Sequence, residues 1–410
     1  MNSRLFQRDF SIMILGQIIS LFGNSILRFS LSLYVLDVTG SAAVFGTILA
    51  VSMIPTLVLS PFGGVLADRL PKQKIMAILD FVTAGMIVSY DVIFGSIGSL
   101  AAVAVFMILL TLIQAFYQPA VQASIPLLAA REHLMAANGI VMQVQALAGL
   151  LGPILAGMLY GIGGVKPILA ASAVCFFLSA VMELFLRIPH DKRAPEASPV
   201  RTALLDLKEA LFYLIKENTC LFKLLIIVAG INLFLSALFI IGLPYLVKIY
   251  LGMSAQAYGF AEAALGLGSI LGGLLSGLAG KKIKFKQSHF FLMGTPLLLI
   301  PVILILLTGA PDTTVYAVLL FSVMTGMACA AMFTIAAQTF IQKSTPVHLL
   351  GKAGAFVSTI CVCALPVGQA LYGGLFELFS DRPWVVVLAG SVISMALADA
   401  ARMTLRNAEE

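Results

Sequence analysis

Gly63-Gly64-Val65-Leu66-Ala67-Asp68-Arg69-Leu70-Pro71-Lys72-Gln73-Lys74 lies directly between two long apolar runs. A helical hairpin could turn with Gly and Ser alone, so the charges in this stretch need a reason. Gly63 and Gly64 allow two helices to approach closely at the end of the first run. Asp68, Arg69, Lys72 and Lys74 then anchor the turn in a headgroup zone. An acid inside an otherwise basic turn is left unexplained by topology.

The two flanking runs belong to a set of twelve. Hydropathy places spans at 10–37, 42–66, 75–95, 98–118, 138–160, 167–187, 221–248, 257–280, 288–308, 313–340, 353–378 and 384–402, each close to or above the ~20 residues that cross a bilayer. The 410-residue chain is 60% hydrophobic and 11% charged, against about 25% charged for a soluble domain. A soluble multi-domain protein is excluded, since most of these helices keep no polar face. The apolar runs are continuous, not alternating, which excludes a β-barrel. The first run is far longer than the apolar region of a cleavable signal. The chain reads as an all-α membrane protein.

Lys and Arg set the orientation. With the N-terminus inside, all of the 25 basic residues except Arg28, Lys166, Lys248 and Arg382 fall on the cytoplasmic side. Both termini are therefore expected in the cytoplasm, which needs an even number of spans. The basic loops account for the net charge of +6 through topology and contact with anionic membrane lipid, with no nucleic-acid partner.

The opening stretch resembles the G-x-x-x-D-R-x-G-[RK]-x-[RK] loop between spans 2 and 3 of the major facilitator superfamily of secondary transporters. Pro71 stands where that family usually has glycine. The resemblance implies twelve transmembrane helices in two six-helix bundles, working by alternating access. It also implies a gating role for Gly64, Asp68, Arg69 and Lys72, which would latch the cytoplasmic side while the transporter faces outward. Asp68 would sit at the N-terminus of a helix such as span 11, near Gly351-Lys352, where free amides and the helix dipole favour a carboxylate. In span 5, Ala148-Gly149-Leu150-Leu151-Gly152-Pro153-Ile154-Leu155-Ala156-Gly157 is similar to the G-P-x-x-G-G element of the family's drug-proton antiporters, with Ala156 replacing one glycine. Its small face favours close packing, and Gly152-Pro153 can kink the helix. Gly16-Gln17, Ser20-Leu21-Phe22-Gly23, Leu36-Asp37-Val38-Thr39-Gly40-Ser41 and Ala137-Asn138 look like the bacterial branch that holds macrolide-efflux and siderophore-export proteins. That likeness implies the cytoplasmic membrane of a bacterium.

The chain repeats itself. Ser41-Ala42-Ala43-Val44-Phe45-Gly46 opens span 2, and Ser254-Ala255-Gln256-Ala257-Tyr258-Gly259 opens span 8. Both runs continue without a gap to Gly64 and Gly277. Asp68 thus corresponds to Lys281, so the second copy keeps a basic loop and loses the Asp-Arg pair. Gly152 and Gly157 match Gly368 and Gly373. Parallel repeats of this kind are found in the two halves of such transporters. The expected organisation is an N-terminal bundle at 1–188, a cytoplasmic linker at 189–219 and a C-terminal bundle at 220–410. The start of the linker is charged and Pro-rich, and its later part has the periodicity of an interfacial amphipathic helix.

Polar groups within spans are costly in lipid and mark candidate sites. Arg28 lies about three turns inside the outer end of span 1. It shares a helix with Gln17 and a face with Asn24, four residues before it. It is expected to face the cavity and bind an acidic partner, Glu262 first and Asp37 second, or an anionic substrate group. Glu262 is also the first candidate for a protonatable coupling group. Asp80, Asp91, Glu183 and Asp399 lie near span ends or on spans expected to be peripheral, and are set aside. Spans 1, 4, 7 and 10 line the cavity in the family, so Gln114 and Asn232 are the favoured amides. Many proton-coupled exporters of the family carry an arginine in span 4, and this chain has none there.

Other activities lack their residues. The four His fall in cytoplasmic loops or at a cytoplasmic span end, and the five Cys show no disulfide or zinc spacing. No P-loop is present, so ATP is not the energy source. An enzyme, a cofactor and a metal site are not expected; a proton gradient is the expected energy source. The amide-poor, Phe- and Met-rich spans suit a lipophilic or amphipathic substrate more than a sugar. A monomer exporting lipophilic drug-like or macrolide-like compounds is expected. A flippase of lysophospholipid or another lipid, with the same fold, is the alternative.

Overall fold

A computed structural model describes residues 8–95, 99–130, 133–189, 212, 216, 218–279, 287–345 and 350–406. Twelve helices run through them: α1 Arg8–Thr39, α2 Ala42–Arg69, α3 Lys72–Phe94, α4 Leu100–Leu128, α5 Leu134–Gly163, α6 Lys166–Leu184, α7 Thr219–Tyr250, α8 Ala255–Ala279, α9 His289–Thr308, α10 Asp312–Ser344, α11 Leu350–Leu378 and α12 Pro383–Arg406. Eleven of them are long and apolar enough to cross a membrane. The predicted amphipathic helix of the linker, the Lys281–Lys286 loop and the side chains of Gly64, Asp68, Gly351 and Lys352 lie outside the described residues.

The sequence repeat reappears as repeated local structure. Ser41 Oγ accepts from the Val44 amide at 3.2 Å and starts α2; Ser254 Oγ accepts from the Ala257 amide at 3.2 Å and starts α8. Each serine follows a left-handed glycine, Gly40 at φ 59° and Gly252 at φ 61°, a conformation that L side chains resist. Pro71 precedes α3 with φ −59°, and its carbonyl accepts from Lys74 and Ile75. Proline's fixed φ suits the start of a helix, so the residue that departs from the family pattern starts α3 without strain.

The chain forms two compact units, residues 1–35 with 51–202, and residues 36–50 with 203–410. The end of α1 and the first turns of α2 thus belong to the second unit.

In the first unit α3 packs along α6 and α4. Phe10, Met13 and Ile14 of α1, Met76 of α3, Tyr117 and Val121 of α4 and Val144 of α5 share one buried cluster. Lipid tails are as apolar as these side chains, so close approach and interhelical hydrogen bonds must hold the helices together. Ser172 Oγ donates to the Gly23 carbonyl at 3.1 Å and Ser179 Oγ to Gly16 at 3.0 Å, tying α6 to α1. Ser25 Oγ donates to the Ala148 carbonyl at 3.0 Å, tying α1 to α5. Gly152 makes that approach possible, because a Cβ there would collide with the Ser25 side chain. Gly152→Ala is expected to destabilise the unit by about 1–3 kcal/mol, read as a lower melting temperature in detergent. Adding Ser25→Gly should recover most of the loss, and no recovery would show that the strain lies elsewhere.

The second unit repeats these devices. A Cβ at Gly368 of α11, the match of Gly152, would strike the Leu233 carbonyl of α7. Gly268 and Gly272 of α8 lie against the carbonyls of Met324 and Ala328 of α10. Leu221 and Leu224 of α7, Leu292 of α9, Phe333 and Ala337 of α10 and Ala398 and Ala401 of α12 form its buried cluster. Two stretches of α7, Asn232–Ser236 and Tyr245–Tyr250, are wound as π-helix. Such turns are rare and concentrate at functional positions.

Candidate functional site

In the first unit α1 and α4 present a polar stripe. Asn24 and Arg28 stand one turn apart on α1; Thr111, Gln114 and Gln118 stand on α4 at spacings of three and four. Arg28 Nη1 donates to Thr111 Oγ1 at 3.2 Å, and Thr111 Oγ1 donates to the Met107 carbonyl at 2.9 Å. Gln118 Nε2 donates to Gln114 Oε1 at a long 3.4 Å. Asn24 Oδ1 is buried with no hydrogen-bond partner among the described residues. The expected partner of Arg28 is an acid, and the observed one is a neutral hydroxyl. Among the described residues of the first unit Arg28 enters no ion pair, so no acid there compensates its charge in a half-buried place. Such a group is expensive within a membrane.

In the second unit Asp37 forms an ion pair with Lys248 at 3.1 Å. Both carry a lone charge at a span end, a match that the sequence holds but that topology counting passes over. Asp37 is therefore engaged in an ion pair. Near it, Ser41 Oγ donates to Glu377 Oε2 at 2.9 Å. Glu262 is half-buried on α8 and accepts from the Tyr258 hydroxyl at 2.9 Å, one turn earlier on the same helix. Tyr316 of α10 donates to the Ala257 carbonyl at 2.8 Å, fixing the start of α8. Asn232, at the first π turn of α7, donates to the Val228 carbonyl at 3.0 Å. One N–H of its amide is thus directed to its own helix.

Of the expected gating residues, Arg69 is exposed at the end of α2, while Lys72 is buried at the start of α3. Pro153 lies inside α5, next to the Gly152 contact with Ser25.

One cluster was missed by sequence reasoning. Asp80 of α3 and Glu183 of α6 are 1% and 0% exposed. Ser20 of α1 donates to Asp80 Oδ1 at 3.3 Å, and Tyr117 of α4 donates to Glu183 Oε1 at 2.7 Å. Their nearness to span ends counted against both acids, yet four helices close around them.

The Major Facilitator Superfamily model matches residues 13–369. Macrolide efflux protein A of Streptococcus pyogenes is 26% identical over 398 residues, covering 92% of this chain and 91% of that protein. Enterobactin exporter EntS of Escherichia coli O1:K1 / APEC is 28% identical over 338 residues, covering 76% and 72%. Among solved structures, the nucleoside transporter NupG superposes with a TM-score of 0.72 at 16% identity over 98% of this chain and 100% of its own. The D-xylose-proton symporter superposes with a TM-score of 0.70 at 15% identity over 97% and 96%; at these identities the likeness shows the fold. The family match spans most of the chain, and the twelve-helix architecture agrees with it. The chain belongs to the major facilitator superfamily.

Proposed function

We propose that this transporter exports lipophilic or amphipathic small molecules across the cytoplasmic membrane of a bacterium, with both termini inside, driven by the proton gradient. The observation that carries the reading is Arg28: a half-buried cation on α1 whose hydrogen-bond partner is the neutral Thr111. A substrate that brings acceptor oxygens into an apolar cavity would gain a charge-assisted hydrogen bond there. In the first unit Asn24 and Gln114 offer further polar contacts; in the second unit Asn232 is the favoured amide. The names of the relatives support efflux. Glu262 is the coupling group in the second unit, and Gly64, Asp68, Arg69 and Lys72 form a cytoplasmic latch that opens and closes with each cycle. Flexing at Gly152-Pro153 accompanies that cycle.

The test is uptake of a labelled macrolide into proteoliposomes of purified protein under an imposed pH gradient of either sign. Transport should follow the gradient and reverse with it. Glu262→Gln should abolish the response to the gradient if coupling runs through Glu262. Equal rates in protein-free and protein-containing vesicles would sink the macrolide reading. The uncompensated charge of Arg28 also favours a second reading, lysophospholipid flipping, because a phosphate pairs well with a guanidinium. Labelled lysophospholipid would then be the next probe.

A further inference from the structure

Asp80 and Glu183 have no part in the path described above. They lie within one unit on α3 and α6, and both are essentially inaccessible. Gly16 and Ser20, one turn apart on α1, lie against Glu183 and Asp80 respectively. No ion pair reaches either carboxyl among the described residues, and Asp80 Oδ2 and Glu183 Oε2 lack any hydrogen-bond partner among them. The groups around them are neutral. Ser20 donates to Asp80, and Tyr117, the other titratable group facing the pair, donates to Glu183.

A third group points the same way. Gln17 is fully buried, and neither atom of its amide has a hydrogen-bond partner among the described residues. It stands one turn before Ser20 on α1. Met13, Ile14 and Leu21, its neighbours along that stripe, pack in the same cluster as Tyr117 and Met76. Gln17 therefore lies on the stretch of α1 that packs into the cluster of Tyr117 and Met76. The interior of this unit thus holds two carboxyls and one amide with unused polar atoms. Two like charges buried without a cation are costly. Attaching one proton to a carboxyl removes one of those charges and supplies a donor for an unused oxygen.

We propose that Asp80 and Glu183 form a proton-binding site of the first unit, separate from Glu262, that takes up a proton in one stage of the transport cycle. Its functional part rests on the proton-coupled reading above; the binding itself does not. Ser20 carries the consequence to α1, the helix of Asn24 and Arg28. A bound proton on Asp80 changes what the Ser20 hydroxyl can donate to, and with it the seat of α1 against α3 and α6.

Infrared difference spectroscopy of the purified protein across a pH titration tests the binding. A protonated-carboxyl band should appear on acidification in wild type and lose most of its intensity in both Asp80→Asn and Glu183→Gln. It should persist in Glu262→Gln. Tyr117→Phe keeps both acids and should shift the band without removing it, which preserves the test if the acid variants do not fold. A band unmoved in Tyr117→Phe, or unchanged in the acid variants, overturns the proposal. In vesicles, Asp80→Asn should lower gradient-driven macrolide accumulation by about tenfold or more while sparing exchange without a gradient. Equal loss of both modes would mark a structural role only. If wild type transports no macrolide, the export reading fails while the infrared titration still decides the site.

Discussion

Arg28→Gln is expected to lower transport at least about tenfold, mainly through a raised KM, because a hydrogen bond to a charged group contributes about 1.5–3 kcal/mol. The same change should leave the protein as heat-stable as before, or more so. Arg28 sits half-buried with Thr111 as its one hydrogen-bond partner among the described residues, and removing an uncompensated charge relieves a desolvation cost. A residue that costs stability and serves transport shows the opposite signs in the two assays. Arg28→Lys keeps the charge and loses the planar fork, so an intermediate KM is expected. Initial rates over a substrate series, with melting curves on the same preparations, measure both. A KM equal to wild type for Arg28→Gln would remove Arg28 from the binding site.

The second large effect concerns folding. Gly272→Leu should leave almost no monodisperse protein. A Cβ at that position meets the Ala328 carbonyl and the Ala331 side chain, so α8 and α10 would have to separate along their length. Overpacking of a rigid backbone contact costs about 1–3 kcal/mol and occasionally more, and Leu adds three further carbons to the first clash. Gly273→Leu is the internal comparison. Its Cβ meets nothing within 4 Å, so it should express like wild type. Size-exclusion profiles of fluorescently tagged variants read both. Similar profiles for the two would mean that helix propensity, not interhelical contact, governs these glycines.

Much of the fold was legible because lipid imposes a simple rule on sequence: long apolar runs become helices. The serine openings of α2 and α8 and the equivalence of Gly152 with Gly368 were readable as strings, and they reappear as matching caps and as close interhelical contacts. Partners were less legible. A lone charge in a span announces cost but not direction, so Arg28 was matched with acids while the fold gives it Thr111. Lys248, which holds Asp37, was counted only as an orientation signal. Asp80 and Glu183 are 103 positions apart in the sequence. Only the packing of α3 on α6 reveals that two unremarkable span-end acids share one interior.

The π-wound stretches of α7 bear on how this helix tolerates changes of length. A π turn accommodates one residue more than an α-helix needs, and the helices on either side keep their registers. Deleting a single residue from Asn232–Ser236 or Tyr245–Tyr250 would therefore collapse the bulge and leave every flanking side chain on its face. The same deletion elsewhere in α7 would turn the remainder by about 100° and send its lipid-facing side chains inward. Insertions and deletions among homologues should accordingly gather at these two stretches, and an aligner that spreads its gaps along α7 would misassign the residues beyond them.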